Sequence, residues 1–285
     1  DMDLKTLTLT ATEDLTISDD LRFLTAIDST GVVGHLTLTI DDNLYNGPFT
    51  LTAGDGGLTL TLDGWYSQTA DFADCVIDAG AGMGTLIIDG DFDLSGADLI
   101  NIISLVLEDD ATVWLSMSQS DAIGAANIVL AEGADNATLN LSGLDGEPFA
   151  VANYADGIDI NLLRLIDADV TLHALTDLHQ IDGLEVAEGR TLTLTATQFQ
   201  QMVFIGSLDW YETDGNPATG GFNVVITDLT QAAVDYDENG DGVADGFDLS
   251  WIDDDATVVI NMTEDITLTD AMSFGDDLEN VTIIL

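Results

Sequence analysis

The chain has 285 residues, with 53 Asp and Glu against 4 Lys and Arg, a formal net charge of −49 at pH 7 and 46% hydrophobic residues. Low hydrophobicity combined with high charge keeps chains disordered, so this apolar content marks a folded polyanion. Nucleic acid and anionic lipid are bound through Lys and Arg, and Lys5, Arg22, Arg164 and Arg190 are too few to support either partner.

At Asp1 there is no basic, apolar leader, so a secretion signal is expected to have been removed or to lie elsewhere in a longer chain. Apolar residues then alternate with Thr or Ser in Leu7–Thr10, Leu36–Ile40 and Leu58–Leu62. Period two with β-branched residues is the pattern of a half-buried strand. The Gly- and Asp-rich stretches Ala53–Gly57 and Asp78–Gly82 read as turns. Cys75, the single cysteine, has no internal disulfide partner and reads as a small buried hydrophobe.

Further along, a strand at Leu105–Glu108 is followed by Thr112–Ser116 and a Gln-bearing turn at Ser118–Gln119. The theme returns as Leu184–Glu188, Thr191–Thr195 and Thr197–Gln198, with a strand at Thr138–Leu141 between the two occurrences. Short helical turns are expected at Ser118–Ile123 and Thr197–Met202, and no long amphipathic helix is visible. Near the end come strands at Thr257–Asn261 and Val281–Leu285, and Thr263–Asp270 repeats the pattern of Thr12–Asp19. Degenerate strand and turn repeats without a fixed period predict an all-β, elongated parallel β-solenoid, a single repeat domain over residues 1–285. Antiparallel β-sandwich domains are the structural alternative. No run of about 18 apolar residues occurs, so no membrane span is expected.

Charge sets the next constraint. At ~10 Å two unit charges in water repel by about 0.4 kcal/mol, or roughly 0.15 after screening at physiological salt. Over on the order of 80 neighbouring pairs this sums to about 12 kcal/mol, comparable to the whole stability of a typical domain, roughly 5–15 kcal/mol. Divalent cations, high salt or both must offset it, and hard carboxylate ligands at this density favour calcium.

One segment has the spacing of a metal loop, an insertion around residues 235–250. Taking Asp237 as position 1 places Asn239 at 3, Asp241 at 5, Gly242 at the sharp-turn position 6, Val243 at 7 with its carbonyl, Asp245 at 9 and Asp248 at 12. Alternate oxygens wrapped around a tight Gly turn are what a calcium ion requires. This loop resembles the calcium loop of dockerin modules and, in its acidic density, thrombospondin type 3 repeats. The resemblance covers the loop alone and implies Ca2+ held by Asp237, Asn239, Asp241, Val243, Asp245 and Asp248. It departs from the EF-hand in carrying Asp at position 12, and dockerin's second loop and flanking helices are missing, so cohesin binding does not follow. An ordinary acidic turn is the plainer reading. The clusters Asp19–Asp20, Asp41–Asp42, Asp89–Asp91, Asp109–Asp110, Asp253–Asp255 and Asp276–Asp277 read individually as solvated turns.

In its Thr-rich strands followed by Gln-bearing turns, the chain is similar to the repeat regions of large bacterial extracellular structural proteins, namely S-layer proteins and type I-secreted adhesins. That resemblance implies an extracellular or cell-surface structural role. The apolar terminal strand Val281–Leu285 is read either as the cut end of a longer repeat protein or as a head-to-tail contact, and the expectation is a non-enzymatic subunit or repeat segment that self-associates into a polymer or lattice bridged by calcium. Three other readings compete. A β-helix polysaccharide-acting enzyme needs only two placed carboxylates, while His35, His173 and His179 show no metal spacing. A carbohydrate-binding adhesin module would present Trp65–Tyr66 or Trp210–Tyr211 to a cell-surface glycan. An ice-binding solenoid would use Thr8/Thr10, Thr37/Thr39, Thr59/Thr61 and Thr193/Thr195, but a regular ladder needs one pair per coil and these recur at irregular separations.

Overall fold

A computed structural model describes residues 5–18, 24–41, 48–64, 70–72, 74–143, 149, 153–159, 162–165, 169–174, 176, 178, 181, 183–202, 204–207, 221–235, 247–252, 256–263, 266, 272–273 and 280–284. The fold is all-β, with 54% strand and 11% helix, and its parallel sheets form a β-solenoid of about nine turns. Every strand pairing among the described residues is parallel. A sandwich built from hairpins requires antiparallel ladders, so the alternative architecture is excluded. The chain forms two compact units, Asp1–Leu141 with Ala152–Asp159, and Ser142–Val151 with Ile160–Leu285.

In the first unit each coil crosses successive sheets. One sheet stacks Thr6–Ala11, Ala26–Val32, Thr50–Ala53, Val76–Asp78 and Asp98–Ile100. A second stacks Leu15–Ser18, Leu36–Asp41, Leu58–Asp63, Gly84–Asp89, Ile102–Leu107 and Ile128–Leu130. A third contains Ala70–Asp71, Asp91–Asp93 and Thr112–Ser116. The strand alternation becomes an interior ladder because the coils stack in register. Leu38, Leu60, Leu86, Leu105 and Ile128 lie one above the next, and all five are fully buried. Each contributes about 1.5–3 kcal/mol of apolar burial.

The outward residues of the same strands also align. Thr16, Thr37, Thr59 and Thr85 form one column, and Ser18, Thr39 and Thr61 form the next. At the corner between the first two sheets the backbones come too close for side chains. A Cβ on Gly56 would strike the carbonyl of Gly34, and Gly57 holds φ +88 while facing the carbonyls of Gly82 and Met83. Glycine alone tolerates both the contact and the positive φ.

In the second unit, one sheet pairs Leu162–Leu165, Gly183–Val186 and Ile205–Ser207. Another stacks Val170–Thr171, Thr191–Thr195, Asn223–Leu229, Thr257–Met262 and Asn280–Ile284. Phe247–Asp248 pairs with Met272–Ser273. Leu192, Val224 and Val258 form one buried ladder, and Leu194, Ile226 and Ile260 the next. Coil length varies within this unit. Register partners lie 21 residues apart at Arg164 and Glu185, 22 at Asp169 and Thr191, and 32 at Thr191 and Asn223. Extra residues go into the connections and leave the ladder intact, which is why the sequence shows repeats without a fixed period.

The Gln-bearing turns are short corner helices, α1 (Met117–Ile123) and α2 (Ala196–Phe199). Each begins with a capping box, in which the Ser116 or Thr195 hydroxyl accepts from the N–H of Gln119 or Gln198 and the Gln side chain accepts from the N-cap N–H. The free end of the same glutamine then reaches the preceding coil. Gln119 Nε2 donates to the carbonyls of Leu94 and Ala97 at 2.7 and 2.6 Å, and Gln198 Nε2 donates to those of His173 and Thr176 at 2.8 and 3.4 Å. One side chain thus closes its own turn and staples it to the coil beneath.

Candidate metal loop and carboxylate turns

The candidate calcium segment is entered from a third corner helix, α3 (Gln231–Val234), whose Val234 is fully buried and whose Asp235 carboxylate accepts from Gln231 Nε2 at 3.0 Å. The chain leaves it through Phe247 and Leu249, both fully buried. The Phe247 ring packs on Phe199 with centroids 4.9 Å apart. Apolar anchors on both sides therefore tie the acidic segment to the core.

Of the six predicted ligands, Asp237, Asn239, Asp241, Val243 and Asp245 lie outside the described residues. Asp248 is half-buried at the end of strand Phe247–Asp248, and its Oδ1 accepts from the Ser250 N–H at 2.9 Å, capping the 3-10 turn Leu249–Trp251. One of its oxygens is engaged in the fold. Among the described residues no group of three or more His, Cys, Asp or Glu side chains is arranged to hold a metal ion. The aromatic pairs Trp65–Tyr66 and Trp210–Tyr211 lie outside the described residues.

Several of the described carboxylates work as turn caps. Asp28 Oδ1 accepts from the Thr30 hydroxyl at 2.7 Å and from its N–H at 3.1 Å, and these two bonds hold the Asp28 carboxyl below its ordinary value. Asp93 repeats the pattern with Ser95. Others reach across coils. Asp14 accepts from the N–H of His35, Asp109 from those of Asp135 and Asn136, and Asp169 from that of Thr191. Asp109 and Asp110, one of the acidic clusters, are thereby an inter-coil clasp, since Asp110 also accepts from Asn136 Nδ2 at 3.1 Å. A short acidic side chain that offers an acceptor two residues before a backbone N–H is the usual device for such turns. In addition, Asp41, Asp63 and Asp89 stand in register on three successive coils, at the ~4.8 Å strand spacing.

The two described histidines, His35 and His173, belong to no metal-binding group among the described residues. His35 bonds Gly56 O and Thr59 Oγ1 through its two ring nitrogens at 3.2 and 2.9 Å, while His173 is exposed and His179 lies outside the described residues. Cys75 is buried, as its reading as a small hydrophobe requires.

A charged pair that sequence reasoning missed lies in the second unit. Arg164 Nε donates to Glu185 Oε2 at 2.6 Å, with the residues 5% and 0% exposed. One of only four basic residues is thus spent inside the fold. The signal was present in the strands: Leu163-Arg164-Leu165 and Leu184-Glu185-Val186 carry opposite charges at matching positions, and the sheet register superimposes them. Tyr154 is a second such contact. Its hydroxyl lies 2.8 Å from Ser120 Oγ on α1, and burial pushes the phenol above its ordinary value.

No family model, curated protein or solved structure matches the chain.

Proposed function

We propose that the chain is a calcium-stabilised extracellular structural protein, a subunit or repeat segment of a bacterial surface layer, fibre or adhesin, with no catalytic role. The observation that carries this reading is the stacking of like charge along a parallel solenoid, seen most directly in the register of Asp41, Asp63 and Asp89. Like charges placed opposite one another on adjacent strands destabilise a sheet, and a chain of net charge −49 holds too few cations to relieve them internally. Calcium supplied by the medium screens and bridges these faces, and the 237–248 loop is its best-spaced site.

Self-association follows the same logic. Calcium held between the carboxylates of two copies lets their acidic faces approach, and a heterologous contact that does not close builds filaments or sheets. The test is electron microscopy of the purified chain in millimolar calcium and then in excess chelator. Filaments or sheets that dissolve on chelation are expected. A monodisperse monomer in both conditions would overturn the assembly reading.

A further inference from the structure

We propose that the sheet face carrying the two threonine columns of the first unit orders water into an ice-like lattice and binds the surface of ice. This goes beyond the structural role above and stands independently of it. The objection from sequence was irregular spacing, and the register answers it for Thr37/Thr39 and Thr59/Thr61, which lie on adjacent coils, whereas Thr8/Thr10 belongs to the other sheet and Thr193/Thr195 to the second unit. Leu15–Ser18, Leu36–Asp41, Leu58–Asp63 and Gly84–Asp89 pair position for position, without a register shift. Thr37 and Thr39 therefore sit directly against Thr59 and Thr61, with Thr16 and Thr85 continuing the first column on either side and Ser18 and Ile87 continuing the second.

The geometry follows from the sheet itself. Neighbouring strands lie about 4.8 Å apart and alternate residues about 6.7 Å apart along a strand, so the hydroxyls form a rectangular grid close to the two oxygen repeats of the prism face of hexagonal ice. β-Branched threonine suits such a grid because its χ1 is restricted. Each threonine offers a methyl that holds water in a cage, and its hydroxyl joins the cage by hydrogen bonding, except that the Thr59 hydroxyl is already bonded to His35 Nε2 at 2.9 Å.

Charge distribution agrees. In a chain with 53 carboxylates, the two central columns carry none. Acidic residues begin at the margin with Asp41, Asp63 and Asp89, and His35 flanks the other side, where it bonds Thr59. The other long sheet of this unit differs, with Asp28, Asp78 and Asp98 among its outward residues. A hydrated carboxylate grid disrupts a water lattice, and a neutral hydroxyl and methyl grid extends one.

The experiment grows ice slowly in a solution of the full chain and measures how much protein enters the solid. The folded wild-type chain is expected in the ice, Thr39→Lys and Thr61→Lys are expected to lose most of that incorporation, and Thr50→Lys, on the other sheet, is expected to keep it. Circular dichroism confirms that each variant is folded. Exclusion of the folded wild-type chain from ice overturns the proposal whatever the variants do, as does undiminished entry of folded Thr39→Lys and Thr61→Lys.

Discussion

At the scale of the residue, the fold depends on where its few cations and its hydrogen-bonded carboxylates sit. Removing Arg164 leaves the Glu185 charge buried without its guanidinium. Arg164→Met is expected to cost roughly 3–5 kcal/mol, while Arg164→Met/Glu185→Leu is expected near wild-type stability. Urea unfolding measures both, and equal losses in the single and double variants would argue against the pair. Asp28 carries the pH dependence. Thr30 bonds favour its carboxylate in the folded state, so the turn's stability is present at neutral pH and is lost as pH falls through the lowered folded value. An NMR titration of Asp28 is expected to show a midpoint below the ordinary carboxylate value, and Thr30→Val to raise it. An ordinary midpoint in the wild type would contradict the bonding. For the metal loop, Asp241→Ala is expected to remove much of the calcium-dependent rise in thermal stability. Identical unfolding with and without calcium in both proteins would refute the site. The proposed loop is read from spacing alone, because a calcium loop of this kind takes its ligands from one short stretch of chain. The Arg164–Glu185 pair was not, because its members meet only through a strand register.

At the scale of the element, the glutamine turns make the clearest link from sequence to structure. The recurrence of Gln119 and Gln198 after Thr-rich strands was visible, and so was the expectation of helical turns there. Their second function was hidden, because the carbonyls of Leu94 and Ala97 belong to a different coil. The two roles separate experimentally. Gln119→Ala loses both the capping box and the staple and is expected to cost about 1–3 kcal/mol. Gln119→Glu keeps an acceptor for the N-cap N–H but sets a carboxylate against two carbonyls, so it is expected to destabilise at least as much. A neutral Gln119→Glu in chemical denaturation would show that the staple contributes nothing.

For the whole molecule, apolar ladders must outweigh the self-repulsion of a net −49 chain. Because exposed charges are screened by salt, the melting temperature is expected to rise with sodium chloride. It is expected to rise further in calcium chloride at matched ionic strength, since bound ions stabilise by mass action beyond screening. Coincident melting curves in the two salts would reduce the role of calcium to screening alone.

By itself the sequence determined the all-β class and the polyanionic character, and it predicted a solenoid beside a sandwich alternative that only the parallel pairing excluded. These rest on local alternation and composition, which each segment carries independently of its neighbours. Tertiary structure alone decided which residues stack on which. Coil connections absorb insertions without disturbing the ladder, as the 21- and 32-residue separations of register partners show, so linear distance does not report spatial repeat. That is the physical reason Thr16, Thr37, Thr59 and Thr85 of separate coils fall into one column, aspartates of separate turns fall into another, and two oppositely charged residues meet in the core.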